Sequence, residues 1–262
     1  MKYSEVLNRY VNTGSPIPEK QYDQLSPSLK KSYMRMRSIS GYFGWEFKLL
    51  TDDEKIKYID TKGKELEYNG VEYLLYYSEN KDLIATKIIE SKGKKLDYKD
   101  VKKLFKYSKD KYNIAIKIIE TLNEIDDNVI SYLVSDFYQS DIKDNIIKKI
   151  IENNKKIKEM SSNKIVHFLR HSQNIDDVAI KIIETIDKKY FSVYNIKYLF
   201  IFTENKELIK NLLLQNGVDY KLINTAIRDY NFEKDGISYI KPIPDNYQEM
   251  LNEIRRIKEI MK

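Results

Sequence analysis

The heptapeptide AIKIIET stands at residues 115–121 and again at 179–185. An exact recurrence at such a distance points to internal repetition, and repetition decides an architecture before any single element does. Aligning on its second half gives Ile88-Ile89-Glu90, Ile118-Ile119-Glu120, Ile150-Ile151-Glu152 and Ile182-Ile183-Glu184, at spacings of 30, 32 and 32 residues. Thirty residues beyond the last stands Leu212-Leu213-Leu214. Thirty before the first stands Tyr58-Ile59-Asp60, followed by TKGKELEY, which matches SKGKKLDY at 91–98. The sequence therefore holds six units, the first and last the most degenerate.

Each unit carries two helical patterns. The first is apolar at i, i+3 and i+4 with a small residue at i+7: Val71, Leu74, Leu75, Ser78, then Val101, Leu104, Phe105, Ser108. It returns as Ile165, Phe168, Leu169, Ser172 and as Ile196, Leu199, Phe200, Thr203. This is the one-faced period of an amphipathic helix. The third unit keeps Val129, Tyr132 and Leu133, then inserts extra residues in SDFYQSD. The second pattern is apolar at i, i+1, i+4 and i+5, as in Ile114, Ala115, Ile118, Ile119. Its wider stripe predicts a helix packed on two sides. Polar turns such as SENKD and TENKE separate the helices, and Asp97, Asp126, Ser161 and Ser192 stand where first helices need N-caps.

One hairpin of two such helices cannot bury its own apolar face, but stacked hairpins can. The expected fold is all-α: a solenoid of six helical hairpins of about 31 residues. The expected boundaries are an N-terminal segment with a basic capping helix at 1–41, the solenoid at 42–232, and a linker with an amphipathic helix at 233–262. With these II-E and (Y/H)S landmarks the chain resembles the α-solenoid class, the HEAT and armadillo-like arrays. In spacing and in its Lys, Asn, Ile and Tyr usage it is also similar in style to repeat proteins of AT-rich phages and large viruses. That similarity implies a structural or host-interacting viral component and carries over no catalytic residue.

Few chemistries are legible. With no cysteine there is no disulfide, thiolate metal site or thiol nucleophile. Phosphate-loop, nucleophile-elbow and dinucleotide motifs are absent, and eight glycines in 262 residues build few catalytic loops. No enzyme activity and no cofactor is therefore expected. His167 and His171, the two histidines, lie one helical turn apart, the spacing of half a zinc site. Their slots in other repeats hold Tyr73 and Tyr77, or Lys103 and Tyr107, and no third ligand accompanies them, so they read as long amphipathic side chains and no metal is expected. The pairs Asp52-Asp53, Asp126-Asp127 and Asp176-Asp177 suit acid–base work, but they fall at turns, where carboxylates cap helices. Lys87, Lys117, Lys149 and Lys181 form a ladder, each facing a glutamate three residues on. Such rows cancel beyond a Debye length of about 8–10 Å.

The net charge of +6 is unevenly placed. Residues 1–50 carry a balance of +4, and residues 51–240 only +1. The excess lies in SPSLKKSYMRMRSISG at 26–41, where Ser26-Pro27 signals a helix start. Lys30, Lys31, Arg35 and Arg37, with Tyr33 among them, read either as an anion-binding helix or as a cap with Leu29, Tyr33 and Met36 inward and arginines outward. At the other end Tyr247, Met250, Ile254, Ile257 and Met261 follow the a/d spacing of a coiled coil. They suit either a cap or self-association with another chain.

Nothing approaches a membrane span, and MKYSEVLNRYVNTGSPIPEK lacks the apolar core of a signal peptide. An intracellular or virion-assembled protein is expected. The leading functional expectation is a non-enzymatic interaction or scaffold protein that holds another protein, a virion or host component. Tyr73, Tyr77, Tyr107 and Tyr198, expected to be partly exposed, are its contact candidates. The alternative is nucleic-acid binding through the basic N-terminal helix.

Overall fold

The computed structural model describes residues 16–42, 44–122, 124–137, 140–153 and 161–233, with residues 240, 242–244, 247 and 252. Every regular element among them is helical. The chain divides into two compact units, residues 1–123 and 124–262. The first holds α1 (Glu19–Asp23), α2 (Pro27–Ser40), a 3-10 turn (Gly44–Leu49), α3 (Asp52–Lys62), α4 (Tyr68–Tyr76), α5 (Lys81–Lys92), α6 (Tyr98–Tyr107) and α7 (Lys111–Thr121). The second holds α8 (Asp127–Ser135), α9 (Ser140–Asn153), α10 (Ser162–His171), α11 (Ile175–Thr185), α12 (Val193–Phe202), α13 (Lys206–Gln215) and α14 (Tyr220–Glu233). No described helix is long and apolar enough to cross a membrane.

Within each unit the hairpins stack in two rows. In the first unit α3, α5 and α7 form one row, and α4 lies against α6 in the other. In the second unit α9, α11 and α13 form one row and α10, α12 and α14 the other, with α8 against α9. This is a helical-repeat, solenoid-like fold. The wide stripe does what its width predicts. Ile84, Ala85, Ile88 and Ile89 of α5 are all fully buried, because α5 packs on α3 and α7 along its row and on α4 and α6 across it. Each buried isoleucine contributes about 1.5–3 kcal/mol relative to exposure. In α13, last of its row among the described residues, Ile209 and Leu213 are buried but Leu208 is 38% exposed. A row's end has one flank fewer to cover, which is why the terminal unit diverges from the consensus.

The small residue closing the first pattern also has a physical role. The Ser172 hydroxyl donates to the Phe168 carbonyl at 2.8 Å and that of Thr203 to Leu199 at 2.6 Å, each four residues back. Each adds a second donor to a last-turn carbonyl that already accepts the same residue's backbone N–H at 3.1 Å, which closes the helix end. At the N-termini, Asp97, Asp126 and Ser192 accept backbone N–H bonds of their own first turns. Ser161 occupies the N-cap position without a side-chain bond.

Among the described residues, Asp52, Asp82, Asp144 and Asp176 clamp the backbone of the repeat that follows. Asp52 accepts from the Asn80 N–H at 2.8 Å, and Asp82 from the Lys109 N–H at 2.8 Å. Asp144 accepts from Gln173 and Asn174 at 3.1 and 2.8 Å, and Asp176 from Glu204 and Asn205 at 2.9 and 3.1 Å. Each carboxylate sits near the start of one second helix and clamps the turn that leads into the next. The Asp52 carboxyl lies below its ordinary 3.8: burial pushes it up, but the Asn80 N–H and the Lys55 ammonium together outweigh burial. A depressed carboxyl pKa gives stability that is present above the unfolded value and lost as pH falls. Asp82→Ala is expected to lower the unfolding free energy by about 1–2 kcal/mol. Urea titration at pH 7 checks this, and an Asp82→Ala midpoint equal to the parent's would contradict the clamp.

The N-terminal elements close the first unit. Ile17, Tyr22, Leu25 and Tyr33 form a buried cluster, with Leu29, Met34 and Trp45 against it. The Trp45 indole donates to the Ile17 carbonyl at 3.0 Å. Ser26 caps α2 as expected, accepting from the Leu29 N–H, with Pro27 in its first turn. One expectation fails on this helix. Arg37 does not point outward: it is 1% exposed, its Nε 2.9 Å from Glu46, which is itself fully buried. Tyr33, fully buried, donates its hydroxyl to the same carboxylate. Burial, and then the bond to Glu46, push the Tyr33 phenol far above its ordinary 10.0.

Candidate interaction surface

The first helices α4 and α6 are equivalent elements one repeat apart, so the stack sets their ends side by side. Tyr76 thereby meets Tyr107, with Tyr77 and then Tyr73 behind it on the same helix. Tyr73 and Tyr77, one helical turn apart, lie with rings near-parallel at 15° and centroids 6.4 Å apart. Tyr76 meets Tyr77 edge-on at 4.8 Å and Tyr107 edge-on at 6.2 Å. The Tyr107 hydroxyl donates to Glu72 at 3.0 Å, which fixes its ring. Lys103, then burial, which opposes it, and Tyr107 govern the Glu72 carboxyl, leaving it below its ordinary 4.5. Lys106 and Lys81 place their ammonium groups 4.8 and 5.8 Å from the Tyr107 ring centre. Tyr76 remains 57% exposed at the centre of this group. Rings held edge-to-face by their neighbours lose little entropy on contact, and an amphipathic phenol buries area while keeping a polar tip.

The remaining candidates fall elsewhere. On α2, Lys31 and Arg35 are exposed, while Lys30 is half-buried with its ammonium 5.2 Å from the Tyr22 ring centre. Tyr33 and Arg37 are withdrawn from contact by the buried Glu46 network, so they are corrected from contact candidates to structural residues. In the second unit Tyr198 is half-buried on α12. Tyr194 of the same helix is 63% exposed. Of the proposed C-terminal seam only Tyr247 is described, half-buried, its N–H donating to Pro244 at 3.0 Å. Met250, Ile254, Ile257 and Met261 lie outside the described residues.

His167 and His171 pack ring against ring with centroids 4.5 Å apart. Burial lowers both imidazole pKa values, with His171 adding to it at His167 against Asp127, and Lys143 and Arg170 adding to it at His171. No group of three potential metal ligands occurs among the described residues. The lysine ladder is ion-paired within each unit. Glu90 is held between Lys87 at 3.6 Å and Lys117 at 3.1 Å, and Glu152 between Lys149 at 3.4 Å and Lys181 at 2.9 Å. Each glutamate thus bridges its own repeat to the next.

The sequence reading named the tyrosines singly. Glu72, Lys81 and Lys106, which hold Tyr107, carry no repeat signal, although Glu72 and Lys106 flank Tyr73 and Tyr107 directly in sequence. Comparison with protein-family models, curated proteins and solved structures gives no match.

Proposed function

We propose that the protein is a non-enzymatic helical-repeat interaction protein that holds a partner protein on the tyrosine surface of its first unit. The observation that carries this reading is the α4–α6 cluster, in which an exposed Tyr76 is braced by Tyr77 and Tyr107. Repeat stacks present long ordered surfaces, and aromatic residues braced in this way are the usual centres of protein contacts. A virion or host protein is the partner that the resemblance to viral repeat proteins implies.

Nucleic acid is the second reading. Lysines beside tyrosine rings also suit stacked bases, and Lys31 and Arg35 add exposed charge on α2. The burial of Arg37 and the pairing of the ladder glutamates leave that reading fewer free cations.

A photo-crosslinking residue at position 76, with a control at position 120, separates the two in nuclease-treated native lysate. The expected result is one discrete protein adduct from position 76 and none from position 120. Tyr76→Ala should then weaken the purified pair by about 30-fold while leaving the unfolding midpoint unchanged. Adducts to nucleic acid alone, or equal labelling from both positions, would overturn the reading.

A further inference from the structure

The repeat supplies an internal standard for one cavity of the first unit. The segments TKGKELEY at 61–68 and SKGKKLDY at 91–98 turn alike, with Gly63 and Gly93 at φ +50° and +51°. In the second of them Lys92 is buried at 7% exposure. Its ammonium donates to the Leu66 carbonyl at 3.0 Å and lies 2.6 Å from the buried Asp100. The same register places Lys62 opposite Lys92 and Gly70 opposite Asp100. Lys62 thus keeps the cation of the pair, while the carboxylate is deleted. No hydrogen bond or ion pair among the described residues engages the Lys62 ammonium.

Where that carboxylate is missing there is a cavity of about 390 Å³. Tyr42, Tyr58 and Tyr73 wall it, Lys62 and Gly70 line it, and the buried Arg37 contributes one side. None of the three phenol hydroxyls has a hydrogen-bond partner among the described residues. Glu46 already neutralises Arg37, so the uncommitted cation is Lys62. Glycine at position 70 is not demanded by the backbone or by space. It lies within helix α4, and a Cβ there would meet only Leu66 Cδ1, at an ordinary 3.5 Å. Glycine is a poor helix former, so its presence costs stability and opens the space that Asp100 fills one repeat on. The exposed carboxylates Glu65 and Glu67 also line the cavity and oppose a multiply charged anion.

We propose that this cavity binds a single carboxylate carried on an apolar body. The carboxylate pairs with Lys62 in the place of the absent aspartate, and the body lies between the tyrosine rings. A free organic acid and the C-terminus of a peptide share this chemistry. The site stands apart from the partner reading: Tyr76 does not line the cavity, and loss of either activity leaves the other testable.

The test is an amide NMR titration of the full chain with N-acetyl-leucine, N-acetyl-leucine amide and N-acetyl-trileucine free acid. Saturable shifts at Gly63 and Gly70 are expected with the acids, at least tenfold weaker with the amide, and absent in Lys62→Met. Gly70→Asp restores the internal pair. It should abolish binding while raising the melting temperature by about 2–4 °C, so misfolding cannot account for the loss. Response to trileucine acid alone assigns a peptide terminus, and equal response to both acids assigns a small free acid. No saturable shift, an equal response to the amide, or binding retained by Gly70→Asp would overturn the proposal. A lower melting temperature in Gly70→Asp would do the same.

Discussion

Arg37→Ala is expected to destabilise the protein by about 3–5 kcal/mol, the cost of removing one partner of a buried ion pair. The reason lies in what the substitution leaves behind. Glu46 is fully buried and takes its charge compensation from the Arg37 guanidinium at 2.9 Å. Tyr33 supplies a hydrogen bond to the same carboxylate but no charge. Without Arg37 the buried carboxylate loses the guanidinium that faces it, and breaking one side of a buried ion pair costs folding free energy. Replacing both partners, as in Arg37→Met with Glu46→Leu, removes the uncompensated charge and should recover most of the loss. Urea denaturation of the two variants reads the difference directly. A single variant within about 0.5 kcal/mol of the parent would contradict the buried-pair account.

The second large effect belongs to the second unit. Phe168 is fully buried in α10, which packs on α11 and α12. Phe168→Ala removes that ring from a close-packed site and should cost about 3–5 kcal/mol, the lost transfer energy plus an unfilled cavity. Phe232 near the end of α14 is the matched control, since it is 87% exposed. Its alanine variant should stay within about 0.5 kcal/mol. The pair of midpoints distinguishes burial from aromatic character: equal losses at both positions would mean the ring itself, not its packing, carries the energy.

The hairpins were legible because burial in a stacked array is periodic. A stripe such as Ile114, Ala115, Ile118 and Ile119 must recur wherever the same neighbour contact recurs, and all four are buried. Hydroxyls and aspartates at fixed offsets marked the helix ends for the same reason. The Arg37–Glu46 pair had no such signal. A helical-wheel reading sends cations to solvent, and Glu46 lies in a 3-10 turn outside any repeat. The tyrosine surface was legible residue by residue but not as an assembly, because the meeting of Tyr76 with Tyr107 depends on how far one hairpin is translated along the row. The missing carboxylate at Gly70 is visible in sequence only once Lys92 and Asp100 are known to touch.

The aspartate clamps bear on how such a chain can change length. A duplicated block of one period carries both an acceptor carboxylate and a turn that donates to it, so a new copy fits between old ones with every bond remade. A fraction of a period does not, since it would pull the turn away from the carboxylate that holds it. The register from Asp52 to Asp82 continues to position 112, where the residue is Tyr112, which has no carboxylate. The following unit is the one stretched by SDFYQSD. In the sequence, the stretched unit is thus the one that follows the helix without an aspartate in this register.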